Sequence, residues 1–219
     1  MKAMILAAGR GERMRPLSDH TPKPLLEVAG KPLIVHHIEK LAACGFNEIV
    51  INVAHLGGRI MEYLGDGSRW GVSVCYSDER EEGALESAGG IVKALPLLGD
   101  APFLVVNADV WCDCGFDPLF DLCGALAHLL LVPNPPHNPV GDFGVNEGWL
   151  TNERCHTFSG VGYYDPRLFE TLPYGKAALA PLLRDAIDRG RIRGTLYEGV
   201  WMDVGTPERL AALNEKVGG

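Results

Sequence analysis

Residues 4–32 read MILAAGRGERMRPLSDHTPKPLLEVAGKP. An apolar run of strand length stops at Gly9-Arg10-Gly11, and the stretch beyond it carries Arg13, Arg15, Lys23 and Lys31. Glycines at the end of a strand permit a sharp turn, and the cations that follow point to an anion held by the loop. A dinucleotide fingerprint would need a third glycine at Met14 and an immediate helix, where Pro16 and Pro22 stand instead. A Walker loop, GxxxxGK[ST], fails as well: Gly30-Lys31 is followed by Pro32, and Leu25 occupies the place of the first glycine. What remains is a long cationic loop folding over a phosphate chain, with backbone amides and side chains as donors.

Outward from this loop, strand-like and helix-like segments alternate. KAMILAA (2–8), EIVINVA (48–54), VSVCY (72–76) and PFLVVNAD (102–109) are short apolar runs that predict strands. Between them the spacing predicts helices over 32–45, with Pro32 in the first turn, over 58–67, and over 87–98, opening at Ser87. Residues 117–133 predict a further helix and strand, and the proline-rich NPPHNPVGDFG (134–144) predicts a loop. A strand over TFSGVGYY (157–164), a helix over 178–190, a strand near 194–199 and a helix from Pro207 complete the chain. Such alternation implies a mostly parallel sheet with helices on both faces, and residues 1–219 are expected to form one domain.

Composition narrows the partners. Of 219 residues, 22% are charged and 47% apolar, which is globular usage, and no apolar run approaches the roughly 20 residues of a membrane span. A formal charge of -8 argues against general binding to nucleic acid or to an anionic membrane. Residues 1–31 are the exception, with six Lys or Arg against three acids, so a small polyanion is the expected partner. Six scattered cysteines without paired CxxC motifs fit reduced thiols in a cytoplasm, and Cys112-x-Cys114 lacks the second pair of a zinc site.

LAAGRGERMRPLSDHTPKPLLEVAGKPLI (6–34) resembles the G-x-G-T-R-L-x-P-x-T…K-P signature of the sugar-1-phosphate nucleotidyltransferases, departing from it at Glu12 and Met14. EGALESAGG (82–90) is similar to the family's E-x-P-L-G-T-A-G segment, VVNAD (105–109) to its strand-end N-x-D, and WMDVGTPE (201–208) to its second acidic motif. The resemblance covers essentially the whole chain. It implies a Rossmann-like three-layer α/β/α fold with a mixed, mostly parallel sheet. It further implies that Leu6, Ala7, Gly9 and Gly11 border the nucleotide, with Glu82, Leu85, Gly89 and Asn107, and that Arg13 and Lys23 hold the triphosphate and serve catalysis. Ser87, Asn107 and Gly160 would meet the sugar, and Asp109 and Asp203 would hold Mg²⁺. The HNPVGDFG and TFSGVG segments resemble the short members that join N-acetylmuramic acid 1-phosphate to UTP in cell-wall recycling. The alternatives are a mannose-1-phosphate guanylyltransferase or another hexose relative, and a catalytically silent nucleotide-sensing subunit.

The chemistry of that reaction explains the residue types. A phosphate monoester with a second pKa of about 6 is largely a dianion at pH 7, so the attacking sugar phosphate needs no general base. Alignment and charge neutralisation remain, which Lys, Arg and Mg²⁺ supply. Simpler roles exist for each residue: Asp109 as a helix cap or turn, Lys23 between two prolines as a solvated lysine, and Arg10 and Arg15 likewise in solvent. Asp203 lies between Met202 and Val204, where a buried carboxylate is costly without a counter-charge. Of His36 and His37, on one predicted helix, one is expected inside and one outside.

Overall fold

The computed structural model describes residues 1–115 and 121–218. Its first strand, β1 (Lys2–Leu6), is apolar after Lys2 because helices cover both of its faces: Ala3 and Ile5 enter one layer and Met4 the other. The chain continues through β2 (Glu27–Val28), β3 (Lys31–Pro32), α1 (Leu33–Ala43), β4 (Glu48–Val53), α2 (Gly57–Leu64), β5 (Ser73–Asp78) and α3 (Glu86–Leu98). Then come β6 (Phe103–Asn107), β7 (Val110–Cys112), β8 (Ala127–Val132), β9 (Phe143–Asn146), β10 (Trp149–Tyr164), α4 (Leu179–Asp188), β11 (Ile192–Leu196), β12 (Trp201–Asp203) and α5 (Pro207–Val217).

Among the described residues, eight strands form one sheet in the order β11-β8-β10-β6-β1-β4-β5, with β9 paired to β10. Strands β6, β1, β4 and β5 are parallel, whereas β10 runs antiparallel to both β6 and β8. The sheet is therefore mixed. On one face α1 and α2 bury Ile34, Ile38, Leu41, Ile60 and Leu64; on the other α3 and α4 bury Ile91, Ala94, Leu98, Leu183 and Ile187. This is the expected α/β/α layering. Among the described residues no helix is long and apolar enough to cross a membrane.

A third, smaller core fastens the cationic loop. Met14 is fully buried among Leu26, Val28, Leu33, Val204 and Leu213, so α5 and the end of β12 close over the loop. Burial of a side chain of this size contributes about 1.5–3 kcal/mol. Between its anchors the loop is a chain of single 3₁₀ turns at Glu12–Met14, Leu17–Asp19 and Lys23–Leu25.

The structure corrects several boundaries. Pro32 precedes α1 as its cap residue, and α3 opens at Glu86. Phe143 and Gly144, expected in a loop, begin β9, and the strand expected at 157–164 is the end of β10, which runs for 16 residues. The first part of β10, Thr151–Cys155, is polar and lacks an apolar alternation; it is a strand because it turns back on β9 through Glu147 and Gly148, both at positive φ. The helix expected from Asp117 lies outside the described residues as far as Phe120, and residues 121–126 form turns. The three-residue strands β7 and β12 pair as a separate ribbon.

One polar cluster ties the carboxyl ends of the strands together. Asn52, after the apolar run of β4, accepts from Ala7 N through Oδ1 at 2.8 Å and donates through Nδ2 to Glu79 Oε1 at 2.7 Å. Glu79 Oε2 accepts from Leu85 N at 2.8 Å, and Glu79 is fully buried. The bond from Ala7 fixes which way the Asn52 amide points. Glu79→Gln is therefore expected to aim an NH₂ group at a donor and to cost about 1–3 kcal/mol. Urea unfolding of the two proteins checks this, and equal midpoints would contradict it.

His37 faces inward from α1 as expected, but His36, expected outside, is half-buried with Nε2 2.9 Å from Val28 O. Burial, aided by nearby Lys40, lowers the His37 pKa from 6.5 to about 4, and Nε2 finds no hydrogen-bond partner among the described residues. The unfolded chain thus takes up a proton at a higher pH than the folded one. Stability is full above 6.5 and falls as the pH drops towards 4, by about 3 kcal/mol in all at roughly 1.4 kcal/mol per unit. Between pH 7.5 and 4.5 the urea midpoint should fall less for His37→Asn than for wild type; parallel losses would contradict the assignment.

Candidate active site

A cleft of about 790 Å³ opens beyond the carboxyl ends of β1, β4 and β6, where ligands of open α/β sheets bind. Leu6, Ala7, Gly9, Gly11, Arg13 and Lys23, the residues that the resemblance assigned to the nucleotide, line this cleft. Gly11 sits at φ +63°, and a Cβ there would fall 3.3 Å from Lys23 Cβ, so the loop doubles back with Lys23 beneath Gly11. Ser18 Oγ donates to Gly11 O at 2.7 Å and holds that fold. Arg10 and Arg13 are both exposed at the cleft wall, whereas Arg15 lies outside the lining and pairs with Asp19 at 3.3 Å.

Lys23 is not the solvated lysine that its flanking prolines allow. It is 9% exposed, and its Nζ donates to Asp109 Oδ2 at 2.6 Å. Asp109 follows β6 at the cleft floor beside Asn107, and Ala108 N donates to Leu6 O at 3.0 Å, which stitches this strand end to β1. Gly160 lies at φ +81° in the bulged part of β10, and a Cβ there would fall 2.7 Å from Asn107 Nδ2. Gly160 therefore backs Asn107 and is not itself part of the lining.

The two acids that the sequence pairs are brought together by backbone. In the β7–β12 ribbon Asp203 stands opposite Val110, and Val204 N donates to Asp109 O at 2.7 Å. Asp203 has the counter-charge its apolar flanks demand: Arg209 Nη1 lies 2.6 Å from both carboxylate oxygens. His137 Nε2 lies 2.9 Å from Asp203 Oδ1.

The segment before α3 is placed differently from expectation in two respects. Ser87 and Glu82 line the cleft, Glu82 at its rim, where Lys93 Nζ at 2.5 Å and Tyr174 OH at 2.6 Å hold its carboxyl down to about 2. Leu85 is buried and contributes its amide to Glu79. Gly89 turns away: its missing Cβ makes room for Gly175 O, which would lie 2.2 Å from it, and Ala177 O accepts from both Ala88 N and Gly89 N. Its smallness thus serves helix packing against residues 175–177. From the same segment Lys176 reaches the cleft and pairs with Glu86 at 3.4 Å.

Asn52, Glu79, His137, Lys176 and Arg209 are the residues that sequence reasoning missed. Asn52 had a signal, as the one polar residue in the apolar run IVINV (49–53). Glu79 is hidden within the charge run DEREE, and His137 and Arg209 converge only in the fold. Cys112 and Cys114 are buried free thiols, in line with the sequence.

Comparison with known proteins adds independent weight. The chain is 54% identical to an N-acetylmuramate alpha-1-phosphate uridylyltransferase of Neisseria meningitidis, over 96% of this chain and 95% of that protein. It is 35% identical to a protein of the same description from Caulobacter vibrioides, over 96% and 94%. A mannose-1-phosphate guanyltransferase of Gibberella zeae is 41% identical over 95% of this chain but only 62% of its own length. Among solved structures, one described as a glucose-1-phosphate thymidylyltransferase of Bacillus anthracis superposes with a TM-score of 0.87 at 24% identity, covering 100% of this chain and 95% of that one, which speaks for the fold. The model of the nucleotidyl transferase family matches residues 2–218, and the chain belongs to that family.

Proposed function

We propose that the protein joins N-acetylmuramic acid 1-phosphate to UTP, giving the UDP-sugar and pyrophosphate. The observation that carries the reaction class is the backbone link between Asp109, in the turn from β6 to β7, and the end of β12 that carries Asp203, beside a loop that delivers Lys23 and Arg13 to the cleft. The choice of sugar and base rests on the near-full-length similarity to the Neisseria relative. In this reading the sugar phosphate oxygen attacks the α-phosphorus of UTP. A new P–O bond forms, the bond to the β-phosphate oxygen breaks, and pyrophosphate leaves.

The residues each take a physical task. Arg13 and Lys23 neutralise two polyanions that otherwise repel each other, and they do so best where charge builds on the transferring phosphate. The Asn52–Glu79 cluster keeps the amide edge of residues 6–9 in register with the start of α3, so that the nucleotide meets a fixed wall. No side chain is asked to remove a proton.

The acids fit Mg²⁺ of one kind. Among the described residues no group of three or more His, Cys, Asp or Glu gathers to hold a metal. One or two carboxylates suit an ion that keeps water and takes its other ligands from substrate phosphates. Asp109 and Asp203 would hold it, and when bound it supplies charge neutralisation at the phosphates.

A pyrophosphate-release assay over four NTPs and a panel of sugar 1-phosphates tests this, with EDTA and Arg13→Ala as companions. UTP with N-acetylmuramic acid 1-phosphate should give the highest kcat/KM, and EDTA should abolish turnover. Arg13→Ala should lower kcat by about 10²–10³ with an unchanged melting curve, because an exposed cation adds little to stability. A preference for GTP with mannose 1-phosphate would overturn the substrate assignment. Full activity of Arg13→Ala would remove that residue from the site.

A further inference from the structure

Both carboxylates assigned to the metal already carry one of the chain's own cations. Lys23 Nζ lies 2.6 Å from Asp109 Oδ2. Asp203 is closed more completely, because a single nitrogen, Arg209 Nη1, sits 2.6 Å from Oδ1 and 2.6 Å from Oδ2, where a chelating cation would stand. Both side chains of this second pair are only 19% exposed, so it is not a solvent-screened surface bridge.

The chain is built to hold Arg209 in that position. Pro207 opens α5, and Thr206 Oγ1 caps the helix by accepting from Arg209 N at 3.4 Å, which sets Arg209 in the first turn. From there its guanidinium folds back over Gly205, a residue of the cleft wall. A Cβ at Gly205 would fall 2.3 Å from Arg209 Nη2 and 2.9 Å from Cζ, and at a looser 3.2 Å from Asp203 Oδ2, so it is the guanidinium that a side chain here displaces first. His137 Nε2, 2.9 Å from Arg209 Nη1, closes the outer side.

We propose that Arg209 is a positioning residue that occupies Asp203 in place of a divalent cation until the nucleotide arrives. The proposal rests on the reading of Asp203 as a metal ligand. A guanidinium and a dication cannot chelate the same two oxygens, so metal binding to the free protein must first break charge-assisted hydrogen bonds and strand the guanidinium. A metal that arrives with a triphosphate brings oxygen ligands of its own and leaves a new anion beside the released Arg209. In the free protein each carboxylate stays charge-compensated by a cation of its own, Lys23 at Asp109 and Arg209 at Asp203. Metal loading thereby becomes coupled to nucleotide binding through this chain's own side chains.

Mn²⁺ binding followed by electron paramagnetic resonance, without nucleotide, tests the proposal on wild type, Arg209→Gln, Gly205→Ala and Arg209→Lys. Wild type should bind Mn²⁺ weakly. Arg209→Gln should bind it at least about tenfold more tightly, and so should Gly205→Ala, whose methyl group dislodges the guanidinium without deleting it. Arg209→Lys, which keeps a cation at Asp203, should restore weak binding, and adding Asp203→Asn to Arg209→Gln should erase the gain. Unchanged affinity in both Arg209→Gln and Gly205→Ala, or a gain that survives Asp203→Asn, would overturn the placeholder role. So would tight, Asp203-dependent Mn²⁺ binding by the free wild type. The underlying reading is checked separately: Asp203→Asn should alter the Mn²⁺ spectrum of the complex with UTP. If it does not, Asp203 is not a ligand; if it does while the free-protein affinities are unmoved, only the placeholder role fails.

Discussion

Glu79 is a carboxyl group sealed from water at the end of the sheet, and the cleft depends on how it is satisfied. Its two oxygens take one hydrogen bond from Asn52 and one from the amide of Leu85, while Asn52 takes the amide of Ala7. Glu79 N in turn donates to Val53 O at 2.7 Å. The ends of β1, β4 and β5 and the start of α3 are thereby one unit, since moving any of them leaves a buried donor or acceptor without a partner. On the proposed function this wall meets the nucleotide and gains from such rigidity, because preorganised amides need no reorganisation when the ligand enters.

A second constraint comes from the far end of the chain. The loop that carries Arg13 and Lys23 has no regular structure beyond single turns, yet Met14 anchors it in the core that Val204 and Leu213 complete. The same C-terminal segment brings Asp203 to β7 and Arg209 to Asp203. Loop cations, both acids and the residue that closes one of them are thus positioned by one small core. An exposed cation such as Arg13, placed by a buried neighbour, can be strongly functional while contributing little to stability itself.

The layering was legible from the alternation of apolar runs, because buried parallel strands and amphipathic helices leave periodic signals. What the sequence hid has common causes. The outer part of β10 is polar where it pairs with β9, and β7 and β12 are too short to show a period. Within the site, the glycine loop, Lys23, Asn107 and the two acids were legible because each follows a strand end or a motif. Gly89 was misplaced because a glycine needed for close helix packing looks the same in sequence as one needed beside a ligand. Arg209 and His137 left no local mark, since a counter-charge is recruited from wherever the fold brings one.

The central claim is that the site transfers the nucleotidyl group in one displacement, by neutralising and aligning phosphates, with no side chain acting as nucleophile. Lys23, Arg13, Asp109 and Asp203 are all suited to binding charge, and the sugar phosphate is already the attacking group. Stereochemistry at the α-phosphorus tests this most directly, using a single diastereomer of UTP that carries sulfur on that phosphate and N-acetylmuramic acid 1-phosphate as acceptor. One in-line displacement inverts the configuration, which is the predicted result. Retention would require two displacements through a nucleotide bound covalently to the protein and would contradict the account.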